Sequence, residues 1–294
     1  LLTIGVLDGI HVGHRYLIQN LTQRAKERNL ISGVVTFNPH PQRVLHPHNQ
    51  LPRLTSLEYR VNKLQELGVD LVAVLSFTSE LASLSAREFV TLLKKYLKVC
   101  GLMIGPNFAL GRRREGDSTL LSALGREIGF SMEIIPPFTV DGEIVSSTLI
   151  RQTLAQGDIA KVAKLMGRNF YLIGKVVPAD KRGRTLGFPT ANLSIKQEQA
   201  SPGNGVYATI AHVDGKQFAS ATNIGIRPTF GGGGKTVETH LLNYAGDLYG
   251  KELKVEFVQK LRNEQCFASP EELKTQIEKD IQEAEVTLSR KQNG

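Results

Sequence analysis

The rhythm of this chain changes once, near residue 170, and that change decides what it can fold into. Before it, short apolar runs alternate with amphipathic segments of helical length. Thr3–Leu7, Ser32–Phe37, Leu71–Phe77, Val99–Gly105 and Glu133–Ile135 read as strands. Gly13–Arg28, Leu57–Leu67, Ser85–Leu97 and Ser118–Ile128 carry apolar residues at helical spacing, as Leu17, Ile18, Leu21 and Ala25 do in the first. Such alternation implies a parallel sheet covered by helices on both faces. After it, strands follow one another directly: Phe170–Val177, Val206–Val213, Gln217–Ile224, Thr239–Asn243 and Leu253–Leu261, parted by turns such as Asp214-Gly215. That pattern predicts an antiparallel barrel. A helix closes the chain, with Ser269 as N-cap, Pro270 at its first position, a capping-box Glu, and Leu273, Ile277, Ile281, Ala284 and Leu288 as its apolar stripe. The expected fold class is α/β plus β. A Rossmann-like α/β domain with a parallel sheet takes residues 1–165, and an antiparallel β-barrel with a C-terminal helix takes 166–294. A length of 294 residues suits two cores better than one.

Composition narrows the partners. The net charge of +8 suits an anionic partner, either phosphates or nucleic acid. With no Trp and no basic run interleaved with aromatics, single-strand stacking is not signalled. No apolar run approaches the ~20 residues of a membrane span, and no basic leader with a cleavage site argues for secretion. The chain opens at Leu1, already inside a strand-like run, so residues ahead of it are expected to be missing. Cys100 and Cys266 lie far apart in apolar surroundings and form neither a metal spacing nor a disulfide framework. Two reduced thiols in a cytoplasmic protein are expected.

His11-Val12-Gly13-His14 stands where the first strand hands over to the first helix. Ligands of open α/β sheets bind at the carboxyl ends of strands, and helix N-termini attract phosphate through free N–H groups. Gly13 admits close backbone approach, and His11 and His14 can donate hydrogen bonds to a polyphosphate. Taken alone, the pair fits phosphate handling, a metal site or a structural role. His40, His46 and His48 fit either a metal cluster or an ordinary loop, and Pro39, Pro41 and Pro47 favour the loop. Arg112-Arg113-Arg114 reads as a solvated face or as a lid over phosphates.

A second signature is Gly187-Phe188-Pro189-Thr190-Ala191-Asn192, preceded by Arg182-Gly183-Arg184. Gly187 permits unusual φ, Pro189 fixes it, and Thr190 and Asn192 offer hard oxygens suited to Mg²⁺ held with nucleotide phosphates. Gly231–Gly234 reads as a mobile loop tip.

The first signature, from Thr3 to His14, resembles the first motif of the nucleotidyltransferases, and within them the FMN adenylyltransferase half of bifunctional FAD synthetases. Val35–Pro41, Ile104–Gly111 with Arg114–Asp117, and Val145–Arg151 resemble that family's later blocks, in order. The chain departs from the pattern at Leu7, Asn38, Ala109 and Leu110. The second signature resembles that of riboflavin kinases, as do Gly205-Val206-Tyr207, Asn223–Phe230, Val237–Leu242 with Asp247–Gly250, and Leu261–Phe267. The chain is thus similar to the prokaryotic bifunctional riboflavin kinase/FMN adenylyltransferase family almost throughout. The resemblance implies an N-terminal nucleotidyltransferase domain and a C-terminal kinase domain, with riboflavin, FMN, FAD and ATP as substrates and products and Mg²⁺ at both sites, and no nucleic-acid or membrane partner. It implies that Glu238, otherwise readable as an exposed strand carboxylate, is the base for the riboflavin hydroxyl. It implies that His11, His14, Ser147, Thr148 and Arg151 bind and neutralise phosphates, with Gly13, Gly187 and Thr190 at the nucleotide, Thr190 and Asn192 at the metal, and Asn107 positioning the substrate phosphate. Arg262 is left a supporting role. The reading from another class is a basic nucleic-acid-binding protein on a nucleotide-binding fold.

Overall fold

A short run of apolar residues unbroken by polar ones needs cover on both faces, and the first half of the chain supplies several. In the computed structural model, which describes residues 1–48, 51–178, 187–196, 198–226 and 235–292, they form β1 (Leu2–Ile4), β2 (Gly33–Asn38), β3 (Leu71–Ser76), β4 (Gly101–Ile104) and β5 (Ser131–Ile134). All pair in parallel, in the order β3-β2-β1-β4-β5. Between them run α1 (Val12–Glu27), α2 (Pro41–Leu45), α3 (Leu57–Glu66), α4 (Ser79–Ser83), α5 (Ala86–Leu97) and α6 (Ser118–Ile128).

Successive strand residues face opposite sides of a sheet, and the packing follows that alternation. Leu2, Ile4, Val35, Leu102 and Ile104 pack with Phe89, Val90 and Leu93 of α5 and Leu121 and Leu124 of α6. On the other face, Leu1, Val34 and Met103 pack with Ile18, Leu21 and Ala25 of α1 and Leu64 of α3. Each such side chain removed from water stabilises by roughly 1.5–3 kcal/mol. Caps fix the helix starts: Ser85 and Glu88 form a reciprocal capping box on α5, and Asp117 accepts from Leu120 N on α6.

The second half is a closed antiparallel barrel of β8 (Phe170–Val177), β9 (Ala191–Ser194), β10 (Gly205–Val213), β11 (Lys216–Ile226), β12 (Lys235–Leu241) and β13 (Glu252–Arg262), in the order β10-β11-β12-β9-β8-β13. The rings of Phe170, Tyr207 and Phe257 fill its interior. The last helix, α9 (Pro270–Gln292), lays Ala284 and Leu288 on Ala208 and Val258.

Several elements differ from the sequence reading. β1 stops at Ile4, because Leu7 turns the chain with φ of 52°. The strand expected over Thr239–Asn243 begins earlier and ends at Leu241, with Asn243 in a left-handed turn. A hairpin of β6 (Thr139–Val140) and β7 (Glu143–Ile144), then α7 (Ser147–Gln156) and α8 (Ile159–Met166), fill a stretch that reads as a connection. Both cysteines are free and exposed, not buried among apolar groups.

The chain forms two compact units, residues 1–147 and 148–294. The boundary expected between 165 and 166 lies within the last turn of α8, and the second compact unit also takes in the residues from Thr148 to it. Two contacts within the second unit account for this: Gly203 N donates to the Leu154 carbonyl at 3.0 Å, and α8 packs on β8 and β13. Arg182-Gly183-Arg184, Arg227–Phe230 and the Gly231–Gly234 run lie outside the described residues.

Candidate functional site

In the order β3-β2-β1-β4-β5 the sheet reverses direction between β1 and β4, and ligands of such sheets lie beyond the carboxyl ends of strands at that switch point. The chain leaves β1 through a turn with positive φ at Leu7 (52°), Gly9 (94°) and Ile10 (40°). Left-handed conformations at Leu7 and Ile10 cost on the order of 1 kcal/mol each, so the surroundings must enforce them. The buried Asp8 carboxylate does much of this. It accepts from the N–H groups of Leu54 and Thr55, both at 3.0 Å, and from the Thr55 hydroxyl at 3.1 Å. Gly9 N donates to that same hydroxyl at 3.0 Å, and the Ser147 hydroxyl donates to the Asp8 carbonyl at 2.8 Å.

His11 follows as the N-cap of α1, its Nδ1 accepting from His14 N at 3.2 Å. That role makes Nε2 the protonated nitrogen, the donor it offers onward. The His11 and His14 rings stack, 3.6 Å between centroids and 18° apart. Gly13 leaves little room for a side chain: a Cβ would lie 3.2 Å from His11 Nδ1, a tight contact, and 3.5 Å from the Val145 carbonyl, an ordinary one. Together with the Ser147 bond, this sets Val145 and Ser147 beside the turn and the start of α1, whose first N–H groups are of the kind that bind phosphate. Thr148 and Arg151 follow on α7, where Ser147 and Arg151, four residues apart, share a helix face. Asn107 stands in an exposed turn after β4, and its carbonyl accepts from Arg114 Nη2 at 3.1 Å. The Arg112–Arg114 turn is exposed, with Arg113 and Arg114 at positive φ. His40 is an N-cap, accepting from Gln42 N, and no group of three or more His, Cys, Asp or Glu side chains placed to hold a metal occurs among the described residues.

In the barrel, β9 is short and pairs with β12 only through Glu238↔Asn192 and Thr239↔Ala191. Directly paired residues share a sheet face. Glu238 also pairs with Asn223, so Asn192, Glu238 and Asn223 form a row across three strands. Beside that row is a cavity of about 590 Å³, lined in part by Thr190, Asn192, Thr239, Tyr244 and Tyr249. Glu238 is not in its lining. The 187–192 segment is held along β12 by His240, whose Nδ1 bonds the Pro189 carbonyl at 2.8 Å and whose ring meets Phe188 edge-on at 5.9 Å. Gly187, at φ of 91°, begins the segment in a conformation that favours glycine. Thr190 and Asn192 line the cavity and Glu238 is in register with Asn192; their hydroxyl, amide and carboxylate oxygens are hard donors of the kind that suits Mg²⁺ held jointly with phosphates.

Arg262, left a supporting role by the sequence, forks onto the buried Asp280 of α9 through Nε at 2.8 Å and Nη2 at 2.7 Å. Asp8, Thr55 and His240 were missed as site-builders. Asp8 and His240 lie within blocks singled out above, but their value comes from partners 46 to 51 residues away, which no local pattern reveals.

Comparison with known proteins gives each half of the chain its own family. Residues 1–149 match the family described as FAD synthetase, and residues 166–288 match riboflavin kinase. The bifunctional riboflavin kinase/FMN adenylyltransferase of Escherichia coli (strain K12) is 42% identical over 95% of this chain and 90% of its own length. The protein of the same name from Bacillus subtilis (strain 168) is 35% identical over 96% and 90%. A crystal structure of a macrolide-efflux protein from Streptococcus pneumoniae superimposes with a TM-score of 0.87, at 28% identity, over 95% of this chain and 91% of that one. Among the described residues here, no helix is long and apolar enough to cross a membrane. The chain belongs to the family of bifunctional riboflavin kinases/FMN adenylyltransferases.

Proposed function

We propose that the chain carries out its family's two ATP-dependent reactions with the residues assembled above, riboflavin to FMN in the barrel and FMN to FAD in the α/β unit. The observation that carries this reading is that each signature falls in its own compact unit, one at the switch point of a parallel sheet and the other beside a barrel cavity.

In the barrel, the Glu238 carboxylate accepts the proton of the riboflavin 5′-hydroxyl as its oxygen attacks the γ-phosphorus of ATP and the bond to ADP breaks. Phosphoryl transfer asks the protein mainly for alignment and charge neutralisation. Gly187 and Thr190 place the segment at the nucleotide. Thr190 and Asn192 would hold Mg²⁺, which would neutralise phosphate charge there. In the α/β unit, an FMN phosphate oxygen attacks the α-phosphorus of ATP and pyrophosphate leaves. His11 and His14 donate to the charge that grows on the phosphates, Ser147 binds them beside the turn, the family resemblance gives Thr148 and Arg151 the same task, and Asn107 positions the FMN phosphate. The positive net charge suits these anionic substrates. Two exposed, unpaired cysteines suit a reducing cytoplasm.

Incubation with riboflavin and Mg·ATP, with flavins resolved by chromatography, should show FMN first and FAD later. Absence of both refutes the reading. The metal assignment has its own test. Asn192→Ala should raise the Mg²⁺ concentration needed for FMN formation and leave that for FAD formation from FMN unchanged. An equal rise in both would mean that Asn192 does not serve the kinase metal alone.

A further inference from the structure

Arg60 is a buried charge for which neither reaction leaves a role. It sits on α3, 3% exposed, and its guanidinium reaches the carboxyl ends of two strands. Nη1 donates to the Val6 carbonyl and, at 3.3 Å, to the Thr36 hydroxyl; Nη2 reaches the Phe37 carbonyl at 3.5 Å. The Thr36 hydroxyl donates to the same Val6 carbonyl at 3.1 Å. Val6 is the last residue before the left-handed turn that delivers His11, and Phe37 is the penultimate residue of β2.

Holding a cation there is unfavourable. Burial pushes the guanidinium pKa down, the Asp8 carboxylate pulls it back up, and Arg53 lowers it again. An apolar side chain of similar volume would avoid that desolvation. What it could not do is bond oxygens on two strands at once, which the planar fork of arginine does.

We propose that Arg60 is a positioning residue for FMN adenylylation, pinning the exit of β1 to the exit of β2 and so fixing the turn that presents His11 and His14. The turn is clamped twice, by a cation at its root and by the Asp8 carboxylate one step on. The inference rests on the reading that His11 and His14 meet the phosphates. Because Arg60 touches the turn and not the substrate, its removal acts on turnover. A misplacement of about 1 Å in a reacting array costs on the order of 10²-fold.

The test uses the full chain with Arg60→Met, Arg60→Lys and, as control, His14→Ala, measuring FMN to FAD and riboflavin to FMN separately. Arg60→Met should lower kcat for FAD formation on the order of 100-fold, with the KM for ATP and FMN unchanged and riboflavin phosphorylation unchanged. Arg60→Lys keeps the charge and loses the fork, so its kcat should fall between the two. Three results overturn the inference: near-normal kcat in Arg60→Met, a loss confined to KM, or a parallel fall in the kinase. If Arg60→Met does not fold, Arg60→Lys decides by the same criteria. FAD formation that survives His14→Ala refutes the underlying reading. His14→Ala inactive beside an active Arg60→Met refutes the positioning role alone.

Discussion

At the scale of single residues, two substitutions should separate the two reactions. His14 lies stacked on His11 at the head of α1, where free N–H groups and a ring donor converge. Removing one preorganised donor to developing charge typically costs ~10²–10³ in rate. His14→Ala should therefore stop the product mixture at FMN, and normal FAD output would exclude the role. Glu238→Gln keeps the shape and removes the base. It should abolish riboflavin phosphorylation while supplied FMN is still converted to FAD; unchanged FMN formation would return Glu238 to an ordinary strand carboxylate. The types and spacing of His11, Gly13, His14, Thr190 and Asn192, the residues proposed for the two sites, are legible in the sequence because each set lies within a few residues. Asp8 is legible only as part of a motif. Its work, bonding Leu54 and Thr55, depends on a segment brought beside it by the fold.

At the scale of elements, periodicity served well wherever a segment has one apolar face. The barrel strand Phe170–Val177 and the helix Ser118–Ile128 fall where the pattern puts them. It failed for β9, whose four residues show alternating burial yet sit in a segment that reads as a ligand loop, and which exists as a strand only because β8 and β12 flank it. It also missed Asp280, which occupies the buried side of α9 and breaks its apolar stripe. Arg262 resolves the conflict through its two hydrogen bonds and lies 5.7 Å from the Phe267 ring. Losing one partner of a largely buried ion pair leaves the other charge uncompensated, at about 3 kcal/mol. Asp280→Ala should therefore lower the urea midpoint of the second unit by a corresponding amount while Glu238 chemistry persists in the folded fraction. A variant as stable as the parent would show that the pair is solvated and the helix held by Ala284 and Leu288 alone.

At the scale of the whole molecule, the position of the division between the units has a measurable consequence. A fragment from Ala163 to Gly294 contains every riboflavin kinase block, and sequence rhythm alone would cut there. The compact unit begins earlier, at Thr148. A start at Ala163 discards Ile159 and Val162 of α8, which packs on β8 and β13, and Leu154, whose carbonyl accepts from Gly203 N, all three essentially inaccessible to solvent. At roughly 1.5–3 kcal/mol for each buried side chain, their loss rivals the ~5–15 kcal/mol by which a whole domain is stable. The Thr148–Gly294 fragment should therefore fold, melt cooperatively and make FMN from riboflavin, whereas Ala163–Gly294 should be largely unfolded and inactive. The complementary Leu1–Ser147 piece lacks Thr148 and Arg151 and should not make FAD. Circular-dichroism melting and FMN production of the two C-terminal fragments decide the matter. Equal stability would make α7 and α8 spectators of the barrel. A folded Thr148–Gly294 that makes no FMN would mean that riboflavin phosphorylation draws on residues of the first unit.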